Sequence, residues 1–186
     1  MSKILEKLYS SMALGAVLAL FVLAAFHADG NRLETRDYWA SFITVLHVLS
    51  GITWIGLLYY FNLVQTPMMP KVPAELKPGV SKYIAPEALF WFRWSALSTV
   101  VTGLIVFVSG TAVANDTIKT GMVLGLIMAF NVWLIIWPNQ KKALGIVQVD
   151  DAAKAKAARV AMLTSRVNFV LSLPMLYCMV TARLVG

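Results

Sequence analysis

The sequence predicts an all-α integral membrane bundle of five transmembrane helices, and three observations predict it. Apolar residues make up 59% of the 186 residues and charged residues only 13%, whereas soluble domains carry about a quarter; mean hydropathy is +0.73. The apolar residues gather into five runs, each near the roughly 20 residues that cross a hydrocarbon core. Lys and Arg alternate in density from one gap to the next, as in a chain that weaves through a bilayer. The length suits one domain, and no gap holds a separate soluble one, so residues 1–186 read as a single transmembrane domain.

The first helix is expected at 8–28. Lys3 and Lys7 precede it in the manner of a signal peptide. Its run exceeds the 7–15 residues of a typical h-region, and no small-x-small cleavage site comes after it. A retained helix is the expectation. Helix two spans 39–64 and helix three 88–110. Helix four, 121–137, is short, and helix five, 160–185, is long. Ser11, Gly15 and Ala19 form a small-residue stripe on helix one, and Gly121, Gly125 and Ala129 form another on helix four. Such stripes let backbones approach in lipid, where packing drives association. The segment 151–159 (DAAKAKAAR) extends helix five into the cytoplasm, with Asp150 or Asp151 as N-cap. Pro174 interrupts helix five and frees the carbonyl of Val170, a defect that membrane helices tolerate when a neighbour re-satisfies the backbone.

With the N-terminus inside, the inner side receives Lys3, Lys7, Lys71, Lys77, Lys82, Lys141, Lys142, Lys154, Lys156 and Arg159, with Arg93 and Arg166 at inner helix ends. The outer side receives Arg32, Arg36, Lys119 and Arg183. That asymmetry puts the N-terminus in the cytoplasm and the C-terminus on the far side, which in a bacterial inner membrane is the periplasm. The net charge of +7 then faces anionic lipid headgroups rather than nucleic acid. A lone cysteine, Cys178, excludes an intrachain disulfide, a four-cysteine iron–sulfur site and a C-x-x-C-H haem attachment.

His47 is the first candidate for chemistry. It lies eight residues into helix two, roughly 12 Å from the outer surface. Gly51 and Trp54 come at successive turns on the same face. An imidazole beside a residue without a side chain suits a flat macrocycle, and Thr44 or Ser50 would orient the ring through its other nitrogen. An ionisable residue at this depth points to function, although a histidine bonded across the bundle accounts for it too. His27 sits about 10 Å shallower by helical rise, either as second ligand or as an interfacial residue. Otherwise Met175 or Met179 fills the sixth position. Arg32 and Arg36 would pair with propionates, or serve as plain loop charges.

A second constellation gathers at the inner end. Asn62 and Gln65 close helix two, Glu87 and Arg93 open helix three, Asn139 and Gln140 come just after helix four, and Arg166 and Asn168 begin helix five. Gln65, Arg93, Asn139, Gln140 and Arg166 are the substrate-binding candidates, since a guanidinium fork and amides suit a flat polar anion. An interhelical hydrogen-bond network with snorkelling arginines is the structural alternative. No protease, kinase, Walker or Rossmann motif is present.

Four segments carry a family resemblance: 47–70 (HVLSGITWIGLLYYFNLVQTPMMP), 84–94 (IAPEALFWFRW), 131–141 (NVWLIIWPNQK) and 161–179 (AMLTSRVNFVLSLPMLYCM). Together they resemble the membrane domain of the bacterial membrane-bound urate oxidases, also called urate hydroxylases. The resemblance implies oxidation of urate with electrons passed to a cytochrome c. Longer members continue into a cytochrome c domain, so a short form lacking it is expected here. The histidine followed by W-x-G-L-x-Y in helix two is similar to the membrane haem protein that oxidises protoporphyrinogen, and implies haem at His47. The leading expectation is a small haem-b membrane protein passing electrons from a cytoplasmic-side reductant toward a periplasmic acceptor, such as a separate cytochrome c. Two alternatives stay open: a non-catalytic accessory subunit of a larger membrane oxidoreductase complex, and a carrier of purine-like anions. A carrier would more often show paired broken helices.

Overall fold

A computed structural model describes residues 2–27, 36–110, 112 and 114–184, and it is helical with no strand among the described residues. The chain forms two compact units, 1–41 and 42–186. In the first, a short turn Ser2–Leu5 precedes α1, Leu8–His27. Ser11 Oγ bonds back to Ile4 O and Leu5 O, each at 3.3 Å, joining turn to helix. The apolar stretch of α1 within the described residues, Leu8–Val22, is shorter than a membrane span.

Four helices are long and apolar enough to cross a membrane: Tyr38–Lys71, Lys77–Val108, Asp116–Ala143 and Asp151–Thr181. Their regular α portions are α2 (Arg36–Tyr59), α3 (Ala85–Val108), α4 (Asp116–Phe130) and α5 (Asp151–Thr181). The expected helices two, three and four all prove longer than the apolar runs alone suggest. Helical structure continues to Lys71 and resumes at Lys77, so most of the expected 65–87 loop is helix. Helix four is not short: it begins at Asp116 and continues to Ala143.

Proline explains how these helices outrun the prediction. A proline offers no N–H, and its ring crowds the carbonyl four residues back. Pro67, Pro86 and Pro138 are each preceded by a π-helical stretch: Tyr60–Gln65, Val80–Ile84 and Asn131–Ile136. In each, the residue just before the proline donates five residues back: Thr66 to Phe61 O, Ala85 to Val80 O, and Trp137 to Val132 O. Widening the turn lets the helix pass the proline instead of ending there. An extra residue per turn also rotates the remainder of the helix by about 100°, which resets the inward-facing side chains. Pro174 behaves differently, because α5 runs through it as one α-helix.

The caps agree with the residues that form them. Asp150 caps α5, its carboxylate accepting from Ala153 N at 2.7 Å, so 151–159 does extend helix five. Asn115 caps α4 by accepting from Ile118 N, while its Nδ2 donates to Ala182 O at 2.6 Å. That amide ties the start of α4 to the end of α5. The two helices lie close along their length, and Gly121 is where closeness is required: a Cβ there would meet Cys178 Cβ at 3.0 Å. Of the helix-four stripe, Gly121 and Ala129 are thus buried in the bundle, while Gly125 is half-buried with open space beside it. The core is built from Trp54 and Leu58 of α2, Leu89, Phe92 and Ala96 of α3, Met128, Val132 and Ile136 on or just past α4, and Met175 of α5.

Candidate functional site

His47 is half-buried on α2, and its ring crosses to α3. Nδ1 lies 2.8 Å from Thr99 O and 3.4 Å from Thr102 Oγ1. A backbone carbonyl only accepts, so Nδ1 carries a proton. In the neutral ring, Nε2 is then the bare lone pair, the arrangement found in metal-bound histidines whose other nitrogen donates to a carbonyl. The orienting partners come from α3, and Ser50, an expected orienter, bonds to Ser98 at 2.8 Å instead. The glycine that makes room for this ring is Gly103, where a Cβ would stand 2.8 Å from His47 Cε1. Gly51 faces Thr99 instead and less tightly, with Thr99 Cγ2 at 3.9 Å from an added Cβ. Trp54 is fully buried, and its Nε1 has no partner among the described residues.

Met175 is buried in the core, and Met179 packs beside it and against Gly121. His27 ends α1, but its side chain, all of Arg32 and the side chain of Arg36 lie outside the described residues. Among the described residues, no three His, Cys, Asp or Glu side chains group as a metal site.

The inner constellation resolves into two parts. The first is a polar seam on α5, formed at helical spacing by half-buried Ser165 and buried Asn168 and Ser172. Asn62 Nδ2 donates to Ser165 Oγ at 2.9 Å. Asn131 Nδ2 donates to Asn168 Oδ1 at 2.8 Å, and Asn168 Nδ2 donates to Met128 O at 2.9 Å. Ser172 Oγ donates to Phe169 O and lies 3.2 Å from Tyr59 Oη. Both asparagines facing α5 sit within π stretches. Asn62 and Asn168 are expected from sequence, whereas Asn131, Ser165, Ser172 and Tyr59 are not. The signal for the serines is the 165–168–172 spacing in line with buried Ala157 and Ala161.

The second part centres on Arg93. Its guanidinium stacks over Trp137 at 3.9 Å from the ring centroid, with Phe90 at 5.3 Å. Glu87 accepts instead from Trp91 Nε1 at 2.9 Å, and the ion pair Lys119–Asp116 lies elsewhere. Among the described residues, Arg93 therefore offers its fork with no carboxylate against it. Trp137 precedes Pro138, Asn139 and Gln140, so both amides share the helix end on which Arg93 rests. Asn139 Nδ2 is committed to Ile135 O at 2.8 Å, and Gln140 is half-buried. Gln65 ends its π stretch half-buried, with Oε1 buried and unpartnered among the described residues. Arg166 is exposed, turned away from the face of α5 that carries Ser165 and Asn168.

The α5 side of the polar seam falls with α4 and α5 in one stretch of sequence that is similar to a known family. Residues 109–184 match the urate oxidase N-terminal family. The match covers less than half of the chain and includes two of the four resembling segments, 131–141 and 161–179. Over that stretch the resemblance to a urate-oxidase-like membrane domain is borne out. No curated protein and no solved structure matches the chain. Within the urate-oxidase-like stretch lie Asn131, Asn139, Gln140, Arg166, Asn168 and Ser172, while His47, Gln65 and Arg93 lie before it.

Proposed function

We propose that this urate-oxidase-like chain is a redox-linked domain of the inner membrane, crossing it five times with its N-terminus in the cytoplasm, and that His47 holds a haem b. The observation that carries the reading is the hydrogen bond from His47 Nδ1 to Thr99 O. It suits the residue to holding iron: the carbonyl holds the proton on Nδ1 and fixes the ring, and Nε2 keeps its lone pair. A haem bound there would supply one-electron transfer between a reductant and a separate cytochrome c. The residues of this chain do the remaining work. Thr99 and Gly103 set the imidazole plane, and Arg93, braced on Trp137, offers a planar fork to a urate-like anion. Asn139 Oδ1 and the Gln140 amide stand on the same helix end for its edge, Asn139 Nδ2 being committed to Ile135 O.

The test is haem content. Protein purified from haem-replete cells is expected to yield one haem b per chain in alkaline pyridine. A colourless preparation would favour the accessory subunit of a larger oxidoreductase, with the stripe Ser11, Gly15 and Ala19 as its docking surface.

A further inference from the structure

Where the span Lys77–Val108 begins and the span Asp116–Ala143 ends, a groove of about 400 Å3 opens between the two. One wall is Pro78, Ser81, Lys82 and Pro86, and the other is the turn after Ala143, with Leu144 and Ile146. The turn keeps its shape because Gly145 adopts φ +75°, a conformation that other residues rarely take. Both walls stand at ends of candidate spans on one membrane surface, so the groove lies at headgroup level. We infer that it is a binding site for the headgroup of an anionic phospholipid.

Charge supports an anionic occupant. Lys82 lines the groove, Lys77 lies a turn and a half before it, and Lys141 and Lys142 lead into the opposite wall. Among the described residues, none of these four forms an ion pair with a carboxylate. Ser81 Oγ is committed to Lys77 O at 3.0 Å, which leaves Lys82 as the cation in the groove's lining. The apolar contribution supports a lipid rather than a free phosphate. Leu144, Pro78 and Pro86 line the cavity, Ile146 is exposed, and Tyr83 and Ile84 stand outward beside Lys82. A phosphate near Lys82 with acyl chains leaving over these side chains matches both halves of an amphiphile. This goes beyond general attraction of basic loops to anionic membranes, because it assigns one cavity and one lysine, and it is independent of the haem reading.

The experiment titrates the purified full chain in neutral detergent with phosphatidylglycerol, phosphatidylcholine or soluble glycerol phosphate. Melting temperature and lipid retained in native mass spectra are read together. Phosphatidylglycerol is expected to bind and raise the melting temperature, and the other two are not. Lys82 is exposed, so Lys82→Gln is expected to fold and to weaken phosphatidylglycerol binding about fivefold, as one surface lysine should. Lys119→Gln, outside the groove, is expected to leave binding unchanged. Equal stabilisation by phosphatidylcholine, equal stabilisation by glycerol phosphate, or unchanged binding in Lys82→Gln would each overturn the assignment.

Discussion

A methyl group added to Gly103 would sit 2.8 Å from Cε1 and 3.0 Å from Nδ1 of His47, and the ring has no flexible tail with which to yield. Gly103→Ala should therefore displace the imidazole, break its bond to Thr99 and cost about 1–3 kcal/mol, the range for overpacking. Gly51→Ala, with 3.9 Å to its nearest neighbour, should be close to neutral. Thermal unfolding in detergent separates the two. A Gly103→Ala protein as stable as wild type would mean that the ring does not rest on α3. Arg93 gives a second residue-scale prediction. Lys keeps the charge but loses the fork and the stacked plane on Trp137. Arg93→Lys should lose most of any urate-induced rise in melting temperature, while Arg166→Lys, exposed on α5, should keep it. Equal loss in both variants would mean that the fork of Arg166 is needed as well, and an unchanged rise in Arg93→Lys would show that charge alone matters. No rise for wild type with millimolar urate or xanthine would remove the anion site for those ligands.

At the scale of the helices, α5 is held to α2 and α4 by a seam of interhelical amide and hydroxyl hydrogen bonds. Asn168 is its centre, accepting from Asn131 and donating to Met128 O. Asn168→Ala would leave Asn131 Nδ2 without its partner and remove a second bond from Met128 O, which still accepts from Asn131 N, and should destabilise the bundle by about 1–3 kcal/mol. Chemical unfolding of the purified variant measures this, and no loss would mean that water replaces the amide without cost. The apolar runs made the helices from residue 36 onward legible, and Asp150 announced the start of α5. Their full length was not legible, because proline normally reads as a helix end. At Pro67, Pro86 and Pro138 a wide turn carries the helix through, a choice that tertiary packing makes. The same turns set which way Asn62 and Asn131 face, so the seam showed only in part. His47 and Arg93 stood out as ionisable residues in apolar runs. Their partners, Gly103 and Trp137, are separated from them by 56 and 44 positions, and only folding brings them together. Arg166 belonged to the inner constellation by depth, yet its direction around α5 takes it out.

For the whole molecule, four helices are long and apolar enough to span a membrane, and the proposal adds α1 as a fifth span with the N-terminus inside. Twelve of the sixteen Lys and Arg residues then fall on the cytoplasmic side or at inner helix ends. Reporter fusions after Thr117 should read periplasmic and those after Val149 cytoplasmic. The reverse pattern would invert the placement of both His47 and Arg93.

The proposed redox role rests on His47 as an iron ligand, and the most direct test is a reduced-minus-oxidised absorption spectrum of the purified protein beside His47→Ala. Wild type is expected to show a Soret band that shifts on dithionite reduction, with resolved α and β bands. His47→Ala is expected to lose or strongly shift these bands while remaining folded by circular dichroism. A folded His47→Ala protein with the wild-type spectrum would contradict the account, because any haem present would then be held by other residues.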